Sequence, residues 1–184
     1  MSSNLYRGSV VVLFGPISSG KSTTANALEP TGFIRLSFAD ALREEVAKAL
    51  APDEVDKTVA LMRSPETKEY YRPLLQWWGS NRRVTDKDYW VRKLLQKLNE
   101  HLVRRQHIVI DDCRYKNERV ALNQYGATFF LLAPNPDALV QHQAELHESE
   151  RDWRIFPYDA YLPWIPPTER ADAIISYLKT LSLY

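Results

Sequence analysis

Short apolar runs alternate along the chain with longer segments in which apolar and polar residues recur at helical spacing. The runs are continuous rather than alternating, and several are rich in valine or isoleucine. This pattern is typical of strands that are buried on both faces of a parallel sheet. We therefore predict five strands: GSVVVLF, FIRLSF, HIVID, ATFFLLA and ADAIISYL.

The segments between the runs have the pattern of helices. In ADALREEVAKAL, for example, Leu42, Val46 and Leu50 fall near one face of a helix, and the charged residues lie elsewhere. Because strands and helices alternate, we predict a three-layer α/β fold with a mainly parallel five-stranded sheet. The other predicted helices are STTANALE, DKDYWVRKLLQKLNEHLVRR, YKNERVALNQYG and NPDALVQHQAEL.

The chain has no repeat, linker or low-complexity segment, so we predict a single domain over residues 1–184. Its core comprises residues 8–50 and 106–184, and residues 53–105 form a helical insertion. Residues 148–170 contain four prolines and five aromatic residues without visible periodicity. A segment of this length and composition is either a functional lid or a packed irregular arm.

Composition and charge exclude several classes of protein. The net charge is +1, from 24 basic and 23 acidic residues, so no global positive field attracts nucleic acid. The single cysteine, Cys113, excludes an internal disulfide. We expect a cytoplasmic protein without a membrane span, because the chain has neither a long apolar run nor an apolar leader segment. The locally basic stretch 82–105 is either a solvated helix face or a surface that faces phosphate.

The motif GPISSGKS lies between the first predicted strand and the first predicted helix. Its spacing is that of a loop whose backbone N–H groups surround phosphates, with Lys21 as the mobile cation and Ser22 as an Mg²⁺ ligand. The motif and the strand pattern together predict the P-loop NTPase fold. The residues predicted to bind ATP are Gly15, Ser18, Ser19, Gly20, Lys21, Ser22 and Thr23.

Two acidic residues, Asp111 and Asp112, stand at the end of the predicted strand HIVID. A carboxylate at this place in such folds holds Mg²⁺ or positions water, and either Asp111 or Asp112 could instead cap the next turn. We predict that Asp112 and Ser22 bind Mg²⁺, directly or through water. Arg114 lies two residues beyond Asp112, so it either faces the same crevice or forms a surface salt bridge.

The stretch SFADALR also follows a predicted strand and opens a helix. It resembles the acceptor-binding stretch of nucleoside monophosphate kinases, in which such an arginine binds the acceptor phosphate. Without that resemblance, Asp40 is a favourable charge at a helix N-terminus and Arg43 is solvated.

Several segments in order resemble the deoxynucleoside monophosphate kinases of tailed phages and prophages. They are GPISSGKST, GFIRLSFADALREEVA, RPLLQWWGSNRRVTDKDYWV, IVIDDCRYKNE, LHESE and ADAIIS. The resemblance implies that ATP with Mg²⁺ donates its γ-phosphoryl group to a nucleoside 5′-monophosphate, in the cytoplasm of a bacterial host if a phage encodes the chain. It also implies that the acceptor is bound by the SFADALR stretch, by the insertion and by the start of the lid. The residues predicted to bind the acceptor are Ser37, Asp40, Arg43, Arg72, Gln76, Trp77 and Glu150.

The lid carries two arginines, Arg151 and Arg154. They either close over the transferred phosphoryl group and exclude water, or face solvent on a rigid arm. His147, Ser149 and Glu150 stand at its start. The predicted catalytic residues are Lys21, Asp112, Arg114 and Arg151.

The tandem Trp77-Trp78 departs from the family pattern, in which smaller apolar residues are expected. An aromatic acceptor pocket would suit a flipped base, so a kinase that phosphorylates 5-hydroxymethyluracil within DNA is the alternative. The same tryptophans could instead be core. A switch GTPase or motor fits less well, because the guanine-reading Asn-Lys-x-Asp segment is missing. The sequence leaves open a homodimer formed through the insertion.

Overall fold

The computed structural model describes residues 8–136 and 155–184. Within them, five strands form one sheet in the order β2-β3-β1-β4-β5, and every neighbouring pair is parallel. The strands are β1 (Val10–Phe14), β2 (Phe33–Leu36), β3 (His107–Ile110), β4 (Thr128–Leu132) and β5 (Ala160–Leu162).

The most apolar run of the sequence forms the central strand, β1. All of its residues are buried, because β3 and β4 pair with its two edges while helices cover its faces. In register, Val12 lies opposite Ile110 of β3 and Phe129 of β4. The carboxyl end of β1 runs directly into the predicted phosphate loop, which is therefore anchored in the middle of the sheet.

The described residues contain seven α-helices. The structure confirms four predicted helices: STTANALE, ADALREEVAKAL, DKDYWVRKLLQKLNEHLVRR and YKNERVALNQYG. The predicted helix NPDALVQHQAEL lies largely outside the described residues. The helices are α1 (Lys21–Leu28), α2 (Phe38–Leu50), α3 (Val55–Arg63), α4 (Lys68–Thr85), α5 (Tyr89–Val103), α6 (Lys116–Asn123) and α7 (Pro167–Thr180).

The chain forms two compact units. Unit 1 comprises Met1–Leu36 and Lys97–Tyr184 and contains the whole sheet. Its core lies between the sheet and the helices α1 and α7, where Val11, Leu28 and Ile174 are fully buried. Unit 2 comprises Ser37–Gln96 and is helical. Its smaller core is formed by Val46, Ala47 and Met62 together with the partly buried residues Leu42, Val55, Val59, Tyr71, Leu74, Leu75 and Trp78.

The predicted fifth strand, ADAIISYL, is wrong, because this segment lies within α7. Its buried residues Ala171, Ile174 and Leu178 recur at helical spacing. Pro166 is the N-cap and Pro167 the first residue of the helix, a position that proline fits. The true fifth strand is the short run Ala160–Leu162, which pairs with β4. The number of strands and their parallel direction were therefore predicted correctly, but the last strand was placed too late in the chain.

The proline-rich stretch is also more regular than the sequence suggests. Of the predicted lid, residues 155–170 contain β5 and the first turn of α7. Arg119 of α6 holds the start of this part: its guanidinium lies 3.9 Å from the centre of the Phe129 ring and 5.2 Å from that of Phe156. The remaining part of the predicted lid, residues 148–154, lies outside the described residues.

Candidate active site

The phosphate loop connects β1 to α1 and depends on two glycines. Gly15 has a φ of 144°, and a Cβ at this position would lie 2.6 Å from the carbonyl oxygen of Leu132. Gly20 has a φ of 79° and precedes the first residue of α1. Both angles lie in the region that glycine adopts without strain, so any other residue would distort the loop.

Helix α1 begins at Lys21, directly after the loop. The first N–H groups of a helix lack partners within the helix, and the helix dipole adds partial positive charge at the same end. No acidic side chain lies in the first turn of α1. This end of α1 is therefore suited to bind an anion, as the loop motif predicts.

Lys21 folds back over the loop. Its Nζ donates hydrogen bonds to the carbonyl oxygens of Gly15, at 2.9 Å, and Pro16, at 2.7 Å, and lies 3.3 Å from Oγ of Ser19. The ammonium group is thus held by neutral oxygen atoms of the loop itself. These are the contacts that phosphate oxygens would replace.

The two acidic residues after β3 have different environments. Asp111 is buried, and Arg35 of β2 binds both of its carboxylate oxygens, with Nε at 3.2 Å and Nη2 at 2.7 Å. The same guanidinium donates through Nη1 to Oδ1 of Asn26 in α1 at 2.6 Å. Asp111 is therefore the structural member of the pair, because its oxygens already bind a cation.

Burial alternates along residues 111–114. Asp111 and Cys113 are buried, whereas Asp112 is half-buried and Arg114 is exposed. Burial, together with the charges of Glu118 and Asp112, raises the pKa of the Cys113 thiol, so this cysteine is an inert core residue. Asp112 and Arg114 are thus the less buried residues of this segment.

The start of α6 fixes the backbone at this point. Glu118 is buried, and its Oε2 accepts hydrogen bonds from the backbone N–H groups of Arg114, at 2.8 Å, and Tyr115, at 3.0 Å. These bonds satisfy two donors near the helix N-terminus. The Arg114 backbone is consequently held in place even though its side chain is exposed.

The residues after β1 and β3 fit a magnesium ion. Ser22 is exposed in the first turn of α1, and Asp112 follows the neighbouring strand, so a hydroxyl and a carboxylate are present at one edge of the sheet. In the described part of the chain, no three His, Cys, Asp or Glu side chains come together as metal ligands. A site with one or two protein oxygens suits Mg²⁺, which takes its other ligands from phosphates and water.

In unit 2, the predicted acceptor residues Asp40 and Arg43 lie together with a third residue that the sequence did not indicate. Oδ1 of Asp40 accepts hydrogen bonds from Nη1 of Arg43 at 3.1 Å and from Nη2 of Arg63 at 2.7 Å. Ser37 caps the same helix, with its Oγ accepting from the N–H of Ala39 at 3.1 Å. Nε of Arg43 is buried and has no hydrogen-bond partner among the described residues.

A second cluster in unit 2 surrounds Glu45 of α2. Its Oε1 accepts from Nε1 of Trp78 at 2.8 Å and from Nε of Arg82 at 2.7 Å, and its Oε2 accepts from the Tyr89 hydroxyl at 2.6 Å. Arg82 also lies 5.2 Å from the centre of the Tyr89 ring. The cluster connects three helices and fixes the orientation of the Trp78 indole.

The two tandem tryptophans therefore differ. Trp78 packs against the core of unit 2, whereas Trp77 is 61% exposed and meets Trp78 edge-on, with ring centres 6.2 Å apart. They line a shallow surface pocket of about 270 Å³ together with Asn81, Arg82 and Thr85. Trp78 thus follows the core interpretation in part, and Trp77 is the more exposed of the two.

The other predicted acceptor residues are not gathered into one cluster. Gln76 is exposed on α4, and Arg72 pairs with Glu69 one turn before it, at 2.6 Å. Glu150 and Arg151 lie outside the described residues, as do His147, Ser149 and Arg154. Three further arginines make defined contacts that no sequence motif indicates: Arg35, Arg63 and Arg170.

The P-loop class is defined by a glycine-containing loop between a central parallel strand and a helix. A lysine and a serine stand at the start of that helix. The parallel sheet with a carboxylate after the strand next to β1 places the chain among folds of the P-loop kinase type. No helix in the described ranges is long and apolar enough to cross a membrane.

Comparison with solved structures agrees with this assignment. An APS kinase from Mycobacterium tuberculosis, in complex with AMPPNP and APS, matches with a TM-score of 0.55 and 16% identity over 94% of this chain and 98% of that chain. Dephospho-CoA kinase from Campylobacter jejuni matches with a TM-score of 0.54 and 11% identity over 93% and 97%. Shikimate kinase from Aquifex aeolicus matches with a TM-score of 0.52 and 15% identity over 95% and 98%.

These similarities confirm the predicted three-layer α/β fold, which is that of P-loop kinases. Comparisons with protein-family models and with curated protein sequences gave no match. The resemblance to deoxynucleoside monophosphate kinases therefore stays a prediction from the sequence.

Proposed function

We propose that this protein is a kinase that transfers the γ-phosphoryl group of ATP to a (deoxy)nucleoside 5′-monophosphate and releases the diphosphate and ADP. One observation carries the choice of acceptor. Arg43 is held by Asp40 through one terminal nitrogen, while its buried Nε donates to nothing. An acceptor phosphate would supply the missing oxygen.

The energetic argument concerns the buried N–H group. A buried donor without a partner costs about 1–3 kcal/mol, and this cost is recovered when an acceptor binds. A guanidinium offers two adjacent N–H groups in one plane, which suits a pair of phosphate oxygens. Arg63 adds a second guanidinium on the same carboxylate, so the cluster has an excess of positive charge.

The donor side rests on the phosphate loop. Lys21 and the first N–H groups of α1 would bind the β and γ phosphates, and Ser22 with Asp112 would hold Mg²⁺, which neutralises charge on the phosphates when it is bound. An oxygen of the acceptor phosphate attacks the γ phosphorus while the bond to the β-phosphate oxygen breaks. Lys21 and Arg114 would stabilise the charge that develops on the transferred group. The sequence leaves open whether Arg151 joins them or faces solvent.

The experiment is a direct assay of phosphoryl transfer. The protein is incubated with ATP, Mg²⁺ and each deoxynucleoside monophosphate in turn, and the products are separated by anion-exchange chromatography. We expect a diphosphate from at least one monophosphate, with ADP formed in equal amount. ADP formation at the same rate without any monophosphate would instead indicate an ATPase.

A second candidate acceptor is a base within DNA, and exposure of Trp77 favours it. An exposed indole beside a pocket can stack on an unpaired base, a contact that does not depend on the sequence of the strand. The same assay includes duplex DNA that contains 5-hydroxymethyluracil and γ-labelled ATP. Labelled DNA without any diphosphate product would replace the first candidate with this one.

A further inference from the structure

Arg170 is a buried cation next to the phosphate loop. It lies in the first turn of α7 and is 1% exposed. Each of its three guanidinium nitrogens donates to a backbone carbonyl oxygen: Nη1 to Ser19 at 2.6 Å, Nη2 to Ala133 at 3.0 Å, and Nε to Pro163 at 2.8 Å. Its hydrogen bonds therefore all go to neutral groups of the main chain.

The three carbonyls belong to segments that follow the carboxyl ends of three neighbouring strands. Ser19 is in the loop that follows β1, Ala133 directly follows β4, and Pro163 directly follows β5. These strands are adjacent in the order β1-β4-β5. One side chain thus fixes the spacing of the phosphate loop relative to the next two strand ends.

This arrangement is costly for the protein in the absence of a ligand. Within the described ranges, no ion pair joins Arg170 to a carboxylate, and burial lowers the pKa of its guanidinium. A buried cation without a counter-charge is unfavourable, and the positive end of a helix dipole is an unfavourable place for it. A purely structural hydrogen-bond donor at this position would not need a full charge.

Arg170 also lies next to Gly20, the last residue of the phosphate loop. Its Nη1 lies 3.1 Å, and a ring carbon of Trp164 3.4 Å, from the place that a Cβ of Gly20 would occupy. The guanidinium lies 5.0 Å from the centre of the Trp164 ring. The loop at Gly20 is therefore packed against Arg170 and Trp164.

We propose that Arg170 is a positioning residue of the nucleotide site: it holds the phosphate loop in its binding shape, and its buried charge is balanced by the polyphosphate of the bound nucleotide. This inference rests on the proposed binding of a nucleoside triphosphate at the loop. It does not depend on which acceptor is phosphorylated.

The test compares ligands that differ in phosphate charge. Binding of ATP, inorganic tripolyphosphate and adenosine is measured by isothermal titration calorimetry for wild type, Arg170→Gln and Arg170→Lys, without acceptor. The glutamine variant removes the charge, and the lysine variant keeps the charge but cannot reach all three carbonyls. Ile174→Val, a change of a fully buried residue one turn further along α7, is the control for a general loss of packing.

We expect Arg170→Gln to bind ATP and tripolyphosphate about 10- to 100-fold more weakly, the range for a lost charged interaction. Adenosine affinity should stay within about threefold, and Arg170→Lys should lie between wild type and Arg170→Gln for the two phosphate ligands. Ile174→Val should bind all three ligands as wild type does. Circular dichroism and thermal unfolding define a temperature at which every variant is folded.

Equal losses for ATP and adenosine, or unchanged ATP affinity in Arg170→Gln, would overturn the proposal. If Arg170→Gln does not fold, the lysine variant decides, and wild-type ATP affinity in that variant counts against the proposal. Wild type that binds ATP but phosphorylates no monophosphate would refute the proposed function alone. Wild type that binds neither ATP nor tripolyphosphate would refute both.

Discussion

Lys21 donates a 2.7 Å hydrogen bond to the carbonyl oxygen of Pro16, within its own loop. In the proposed function, phosphate oxygens compete with this carbonyl for the ammonium group of Lys21. We expect Lys21→Ala to lower kcat/KM for phosphoryl transfer at least about 100-fold, because a preorganised cation at the transferred group is lost. Steady-state kinetics measure this, and activity within about tenfold of wild type would contradict the assignment of the loop.

Substitutions of the adjacent residues Asp111 and Asp112 should have different effects, one on stability and the other on activity. Asp111→Asn weakens a buried ion pair with Arg35, which is itself partly exposed, so we expect a loss of about 1–3 kcal/mol in the free energy of unfolding. Asp112→Asn should leave that free energy nearly unchanged and strongly lower the Mg²⁺-dependent activity. Chemical denaturation and kinetics at several Mg²⁺ concentrations measure the two effects, and a reversed pattern would exchange the two roles.

Arg43 should act on the acceptor rather than on ATP. We expect Arg43→Ala to raise the KM of the monophosphate about 10- to 100-fold, the loss expected for a charge-assisted bond, with little change in the KM of ATP. Arg92→Ala is the control, since Arg92 is an exposed arginine of unit 2 that pairs with Asp86. Equal changes in both KM values would rule out an acceptor role.

Glu45 should stabilise unit 2 in a pH-dependent manner. Burial raises the pKa of Glu45, but hydrogen bonds from Tyr89, Trp78 and Arg82 outweigh it, and the net pKa is lowered. A carboxyl group with a lowered pKa stabilises the fold above its unfolded pKa, and this contribution is lost as the pH falls through the folded value. Glu45→Gln should therefore have a lower unfolding temperature than wild type at pH 7. Below pH about 4, the difference between the two unfolding temperatures should become smaller.

His107 should make the free energy of unfolding depend on pH in a higher pH range than Glu45 does. Burial lowers its pKa, and its Nδ1 accepts a hydrogen bond from the backbone N–H of Ser9, which favours the neutral ring. The unfolded chain then binds the proton more readily, so stability is full above the ordinary pKa of about 6.5 and declines as the pH falls through the folded value. Thermal unfolding at pH 7.5 and 5.5 should show a smaller decline in His107→Gln; an identical decline would exclude His107 as its source.

The fold was predictable wherever burial alone determines the residue pattern. β1 is covered on both faces and both edges, so its sequence had to be a continuous apolar run. β5 is an edge strand of three residues, of which only Leu162 is buried, and so short a strand leaves almost no pattern. The helix α7 was taken for a strand because Ala-Ile-Ile is also a good strand sequence, although the spacing of Ala171, Ile174 and Leu178 is helical.

The candidate site was predictable where a motif fixes the backbone. The spacing of Gly15, Gly20 and Lys21 determines a loop geometry that few other sequences share. Arg63 and Arg170 could not be found in this way, because each acts through partners that are distant along the chain. Arg170 meets Ser19 across 151 positions, and such a contact exists only after the sheet has formed.

The depth of Arg170 also determines how ionic strength should act on the nucleotide site. At physiological salt, mobile ions screen exposed charges beyond about 8 Å, but they screen a buried charge much less. Lys21 is partly exposed, so salt weakens its attraction for an incoming polyanion. Arg170 is buried, so salt weakens its electrostatic attraction much less. Added salt should therefore slow the arrival of ATP more than it hastens its departure.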